Sequence, residues 1–235
     1  MQRRTILVFI KLGLGSILAF SNILAMAQPA GLLYDPEPPA DSAYVRVLLA
    51  SPAGAVDVLV DGRVRVQKLA SGAASEYLVL AAGQHTIALH PAGKSAAHFS
   101  TSFEVVRGRA TTLAFTSLSV GSVPIVFEDK ANSNKLKALL AVYNLDTKAG
   151  DMDVLTADGN TKVMAGIAYG KSASIAVNPI SVDLIAVKAG GKVAVSRTSI
   201  AMTQGGTYSI FFLPGKDSKL TAQAVQNKIE RYTGK

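Results

Sequence analysis

The chain contains no cysteine, no tryptophan and only three histidines in 235 residues. Without cysteine it has no disulfide, no thiolate metal site, no iron–sulfur cluster and no cysteine nucleophile. Aromatic residues make up 6% of the chain and charged residues 17%. With 49% apolar residues it is too hydrophobic and too weakly charged to be intrinsically disordered. A serine nucleophile needs a base and a group that orients it. The three histidines, His85, His90 and His98, all lie in the first half. No G-x-S-x-G elbow occurs, and no Asp stands three residues before a His.

Other site chemistry is equally thin. Gly93-Lys94-Ser95 and Gly170-Lys171-Ser172 resemble the end of a P-loop, but the first glycine such a loop needs is replaced by Ala88 and Ala165. Asp151, Asp153 and Asp158 have neither EF-hand spacing nor a bidentate Glu, and read as hairpin and turn aspartates. His90 and His98 could face each other across a hairpin, but two ligands make a poor metal site. The expectation is therefore no catalytic residue, no metal and no cofactor. The basic residues are dispersed without interleaved aromatics, which argues against nucleic acid.

What is present begins with an export signal. Arg3, Arg4 and Lys11 give a basic start, Leu12–Leu24 is apolar, and Ala25-Met26-Ala27 is an A-x-A site. Residues 1–27 are read as a signal peptide cleaved after Ala27, so the mature protein is expected to be exported. The formal charge is +8, from 24 basic and 16 acidic residues. Removing the three basic residues of the signal leaves 21 against 16, or +5. Residues 28–120 carry seven of each sign, and residues 121–235 carry fourteen basic and nine acidic side chains. The whole excess sits in the second half.

Residues 28–41 hold Pro36, Pro38 and Pro39 and read as an extended arm. Beyond it, Val, Ile, Leu, Thr and Phe alternate with polar residues, punctuated by Gly, Pro and Asn. No stretch keeps a 3.6-residue apolar period, so the pattern is all-β. Asp61-Gly62, between Val58-Leu59-Val60 and Val64-Arg65-Val66, is the strongest hairpin signal.

The halves repeat. Val45-Arg46-Val47 aligns with Leu140-Ala141-Val142, and Asp57-Val58-Leu59 with Asp153-Val154-Leu155. Thr86–Leu89 aligns with Asp183–Ala186, and Thr111–Phe115 with Tyr208–Phe212. A register held over successive blocks predicts two tandem small β-sandwich (Ig-like) domains, residues 42–120 and 135–235, joined by a polar linker at 121–134.

At Leu33-Tyr34-Asp35-Pro36, Ser42 and Tyr44-Val45-Arg46-Val47, the sequence resembles the periplasmic alginate biosynthesis family AlgF. The likeness continues through Phe127, Lys135, Lys137, Tyr143-Asn144-Leu145, Thr156-Ala157-Asp158-Gly159 and Asn178-Pro179. Leu49 departs from the family's Asn, which stands here only at Asn144 in the second repeat. The resemblance implies a non-catalytic adaptor for O-acetylation of an alginate-like exopolysaccharide, and so for biofilm matrix. Its implied partners are periplasmic O-acetyltransferases and the membrane acyl-transfer machinery. The alternatives are an anionic-polysaccharide-binding module acting through the basic second domain, and an acetyltransferase in its own right. The residues expected to meet a protein partner are Tyr34, Asp35, Pro36 and an exposed Arg46. Those expected to meet polymer or a charged surface are Lys135, Lys137, Tyr143, Asn144, Lys171, Lys188 and Lys192.

Overall fold

The computed structural model describes residues 39–95, 99–119, 121–215 and 219–232. The signal segment, the arm residues Tyr34, Asp35 and Pro36, and His98 lie outside the described residues. Among the described residues there is no helix, and none long and apolar enough to cross a membrane.

Among the described residues sixteen strands run in chain order: β1 (Ser42–Leu48), β2 (Val56–Val60), β3 (Arg63–Leu69), β4 (Leu78–Ala81), β5 (Gly83–Pro91), β6 (Phe99–Val105), β7 (Ala110–Ala114) and β8 (Ile125–Asp129) in the first half. The second half holds β9 (Ala138–Asn144), β10 (Met152–Thr156), β11 (Lys162–Ile167), β12 (Ser172–Val177), β13 (Ile180–Lys188), β14 (Ala194–Met202), β15 (Thr207–Pro214) and β16 (Leu220–Gln226). They form four four-stranded sheets with the orders β4-β1-β7-β8, β3-β2-β5-β6, β12-β9-β15-β16 and β11-β10-β13-β14. The second pair of sheets repeats the first, strand for strand. The parallel pairing Val45↔Thr111 between β1 and β7 has its counterpart in Leu140↔Tyr208 between β9 and β15, the residues the sequence repeat aligns. The fold is thus all-β, in two tandem sandwiches.

Alternation decides what each sheet buries. Val45 and Val47 of β1 and Leu113 of β7 meet Val58, Ile87 and Leu89 in the first core. Leu140 and Val142 of β9 and Ile210 and Phe212 of β15 meet Val154, Leu184 and Ile200 in the second. The opposite faces of these two inner sheets face each other. Leu48, Ala114 and Phe127 pack against Tyr143, Leu145, Phe211 and Leu213. The rings of Phe127 and Tyr143 meet edge to face at 5.1 Å. The layers therefore stack four deep, and the inner strands are apolar on both faces. That is why β1 and β9 read as nearly continuous hydrophobic runs.

Segment 121–134, expected to be a linker, contains β8, which pairs antiparallel with β7 and adds the fourth strand of the first inner sheet. Its apolar stretch is only Ile125-Val126-Phe127, followed by Glu128-Asp129, so it was too short and too polar at its end to stand out. Residues 227–230 make a second unanticipated link. The tail leaves β16 and returns to the first half, where the Tyr77 N–H donates to the Lys228 carbonyl and the Glu230 N–H to the Tyr77 carbonyl. The Glu230 carboxylate also accepts from the Val79 N–H and pairs with Arg65. This strap covers the free edge of β4.

Asp61 and Gly62 both adopt positive φ, 50° and 77°, as the Asp-Gly hairpin predicts. Asp61 also accepts from the Thr86 N–H and meets His85 Nδ1 at 2.6 Å, while His85 Nε2 lies 3.0 Å from the Ala81 carbonyl. Burial works against charge on His85, but the hydrogen bonds to Asp61 and Ala81 outweigh it and raise its pKa above 6.5. Asp61 is held below 3.8, chiefly by the Thr86 N–H and then by His85. The raised His85 contributes stability below about pH 6.5, lost as pH rises through its folded value. The lowered Asp61 contributes above about pH 4, lost in acid. The stability gap between wild type and His85→Ala is expected to be widest between about pH 5 and 6 and to narrow towards pH 9. With Asp61 half exposed it stays below about 1 kcal/mol. Thermal melts across that range measure it.

Candidate functional site: the junction between the repeats

The outward alternation of β1 places Arg46 between Val45 and Val47, on the face turned to the second half. It is 1% exposed and stands among the largest fully buried side chains of the described residues. Its Nε donates to Thr112 Oγ1 at 2.7 Å, and Nη1 to Asn227 Oδ1 at 2.7 Å. Nη2 donates to Ser209 Oγ at 2.9 Å and Tyr143 Oη at 3.1 Å. The guanidinium also lies over three rings, 4.7 Å from the centroid of Tyr77, 5.0 Å from Phe211 and 5.5 Å from Tyr143. Such a cation–π cage favours Arg over Lys, because the planar guanidinium stacks while its fork still donates.

Asp129, the last residue of β8, supplies the balancing charge one bond away. It accepts from Tyr143 Oη and Thr112 Oγ1 at 2.5 Å each and from Tyr77 Oη at 2.8 Å. Ser209 Oγ in turn donates to Asn227 Oδ1 at 2.9 Å. Burial pushes both tyrosine hydroxyls well above their ordinary pKa, and the Asp129 charge adds to it. They are neutral donors at every physiological pH. The network draws on both halves and on residue 227, and among the described residues no buried side-chain polar atom lacks a partner.

A cleft of about 540 Å³ opens beside this network, between the halves. Tyr77, Tyr143 and Asp129 line it from within, Leu139, Ala141 and Ile229 give it an aliphatic wall, and Arg109, Lys130 and Lys228 stand at its edges. Arg109 is paired with Glu128 at 2.8 Å.

The residues expected to bind partners fall in three groups. Arg46, expected to be exposed, is buried in the junction and spends its hydrogen bonds within the chain. Tyr143 and Asn144 are buried too. Tyr143 belongs to the Arg46 network, and Asn144 Nδ2 donates to the Gly150 and Ile167 carbonyls. The lysines do not converge. Lys135 and Lys137 precede β9, Lys171 lies at its far end beside Asn144, and Lys188 and Lys192 flank the β13–β14 turn. Lys188 shares a hollow of about 390 Å³ with Lys148 and Lys219. Asp129, Tyr77, Thr112, Ser209 and Asn227 were missed. The one signal in the sequence was Arg46 itself, a charge in the middle of a doubly apolar strand.

Asp57 and Asp153, aligned in the repeat, perform one task twice. Each sits on the second strand of its half, opposite a bulge. Asp57 accepts from the Lys68 and Gly93 N–H groups at 2.8 and 2.9 Å. Asp153 accepts from Gly166 and Gly190 at 2.7 and 3.2 Å, and from Lys162 Nζ at 2.7 Å. Lys68 and Gly166 are the bulge residues with positive φ, 53° and 61°. Asp153 is thus a bulge bracket inside a strand rather than a turn aspartate.

A duplicated β-sandwich pair, welded by a buried arginine and strapped by residues 227–230, defines a tandem-sandwich protein that is all-β among the described residues and whose best-organised polar centre is internal. The chain belongs to the AlgF family: the family model described as "Alginate O-acetyl transferase AlgF" matches residues 15–223. It is 27% identical over 210 residues to an alginate biosynthesis protein AlgF of Pseudomonas putida, covering 89% of this chain and 90% of that one. It is 29% identical over 187 residues to the AlgF of Azotobacter vinelandii, covering 78% of each. A solved C-terminal domain of AlgF from P. aeruginosa is 26% identical, covers 40% of this chain and 100% of its own, and superposes with a TM-score of 0.34.

Proposed function

We propose that this chain is a non-catalytic periplasmic adaptor in the O-acetylation of an alginate-like exopolysaccharide, docking the acetyltransferases that carry out the transfer. Its relatives are named alginate biosynthesis proteins, and the family model carries an O-acetyl transferase name. The observation that supports an accessory role is how His85, one of the candidate bases, and the buried pair of Asp129 and Arg46 are used. Both nitrogens of His85 are engaged by Asp61 and Ala81, so no serine hydroxyl shares them. Asp129 and Arg46 are bonded to each other's neighbours in the junction. Acyl transfer needs a base free to take a proton from its nucleophile. A rigid two-sandwich body suits a scaffold, since docking surfaces on fixed layers keep their spacing.

Affinity capture from periplasm with the tagged chain is expected to retain an O-acetyltransferase, and deletion of the gene to abolish polymer acetylation. Normal acetylation after deletion, with no acetyltransferase captured, contradicts the adaptor reading. Hydrolysis of a chromogenic acetyl ester by the purified protein contradicts its non-catalytic part. The competing reading, polymer binding through Lys135, Lys137, Lys171, Lys188 and Lys192, predicts heat on titration with alginate oligomers that fades with salt.

A further inference from the structure

The cleft between the halves has a charge and a lining that suit one kind of guest. Lys130 and Lys228 stand at its edges, both exposed, and among the described residues neither has an ion pair or a side-chain hydrogen bond. The neighbouring Arg109 is already paired with Glu128. Asp129, the carboxylate inside, is occupied by three hydroxyl donors. The charge left unanswered is therefore positive and lies at the rim. The same cleft carries an aliphatic lining, in which Ile229 is 56% exposed and Leu139 and Ala141 are half-buried. The volume, about 540 Å³, lies in the range of functional clefts, and domain junctions are where such clefts occur.

The lining separates a peptide from a sugar. Sugar rings are held by exposed aromatic faces. Tyr77, Tyr143 and Tyr208 are only 6%, 2% and 4% exposed, and their faces are covered; Tyr44 alone is half-buried. What the cleft offers at its surface is aliphatic carbon flanked by ammonium groups.

We propose that this cleft docks an extended acidic segment of a partner protein. An apolar side chain of the segment rests on Leu139, Ala141 and Ile229, and its carboxylates meet Lys130 and Lys228. The inference rests on the adaptor reading and gives it a docking face.

A random glutamate–tyrosine copolymer is the probe, titrated into the whole exported chain and followed by anisotropy. Binding is expected at low salt, weakening as salt screens the lysines. The double variant Lys130→Glu/Lys228→Glu is expected to lose at least about tenfold in affinity. Ile229→Asp, at a side chain 56% exposed, should lose a comparable factor, with an unchanged thermal melt showing that the strap still holds. Absence of binding at low salt overturns the inference, as does equal affinity of the double variant. Displacement of the copolymer by a polyuronate oligomer at matched charge concentration assigns the cleft to sugar and overturns it too. Capture of acetyltransferase by the double variant, undiminished, overturns the cleft while leaving the adaptor reading intact. Copolymer bound at the cleft, with no acetyltransferase captured by the wild type, sinks the adaptor reading alone.

Discussion

Arg46→Ala is expected to cost about 3–5 kcal/mol of folding stability, the loss typical when one member of a buried charge network is removed. The guanidinium reaches from Thr112 in its own sheet to Tyr143, Ser209 and Asn227 across the junction. Truncation strips four hydrogen bonds, removes the cation over three rings and leaves Asp129 beside a void. Each of these costs free energy, since buried polar groups left unpaired are more expensive than pairs never made. Arg46→Lys keeps the charge but loses the planar fork and the stacking, so it should fall between wild type and alanine. Urea unfolding of the exported chain measures both. A loss below about 1 kcal/mol for the alanine variant, the level of an exposed pair, would mean that water or a neighbour replaces the guanidinium at little cost. Because the junction joins the two inner sheets, the variant should also separate the unfolding of the halves. A single transition in the wild type and two in the variant is the expected signature.

The second large effect concerns Asp153. Asp153→Ala should cost about 1.5–3 kcal/mol, the range for hydrogen bonds to a charged acceptor. The aspartate is 2% exposed and fixes a bulge through the Gly166 N–H, a loop through the Gly190 N–H, and Lys162. Asp57→Ala removes the same bracket from the first half but should cost less, because Asp57 is more exposed and accepts from backbone N–H groups without a lysine ammonium. The Lys162 hydrogen bond, followed by that of the Gly166 N–H, holds the Asp153 carboxyl below 3.8 against burial. A lowered carboxylate contributes its stability above about pH 4 and loses it as pH falls through the folded value. The gap between wild type and Asp153→Ala should therefore be full at pH 7 and shrink towards pH 3. Urea midpoints at the two values test it, and a gap that widens in acid would reverse the assignment.

Much of this fold was legible in the sequence, and the rest was hidden for identifiable reasons. Period-two alternation set the all-β class and the two tandem halves, and Asp61-Gly62 marked its hairpin. The repeat register carried through to the pairing of Val45 with Thr111 and of Leu140 with Tyr208. What alternation cannot reveal is a third interface. A strand next to one core looks the same as a strand between two, except that its outward positions are also apolar. Leu48 and Phe211 carried that message. Arg46 concealed it, because a charge on the outward face of a strand ordinarily means water. Its partners come from 66 to 181 residues away, so no local pattern could assemble them. β8 was hidden by its length, three apolar residues ending in two acids.

The strap formed by residues 227–230 has a consequence for how the protein is made. Synthesis delivers the chain from its N-terminus, so β4 is made long before the segment 227–230 that borders it. Through that interval the edge of β4 presents unpaired backbone groups, the feature by which strands recruit strands of other molecules. Arg46 meanwhile waits for Tyr143, Ser209 and Asn227, which arrive progressively later. The first half is thus finished only when residues 227–230 emerge. Nascent chains should be most in need of a holding chaperone between delivery of Leu78–Ala81 and delivery of Lys228–Glu230.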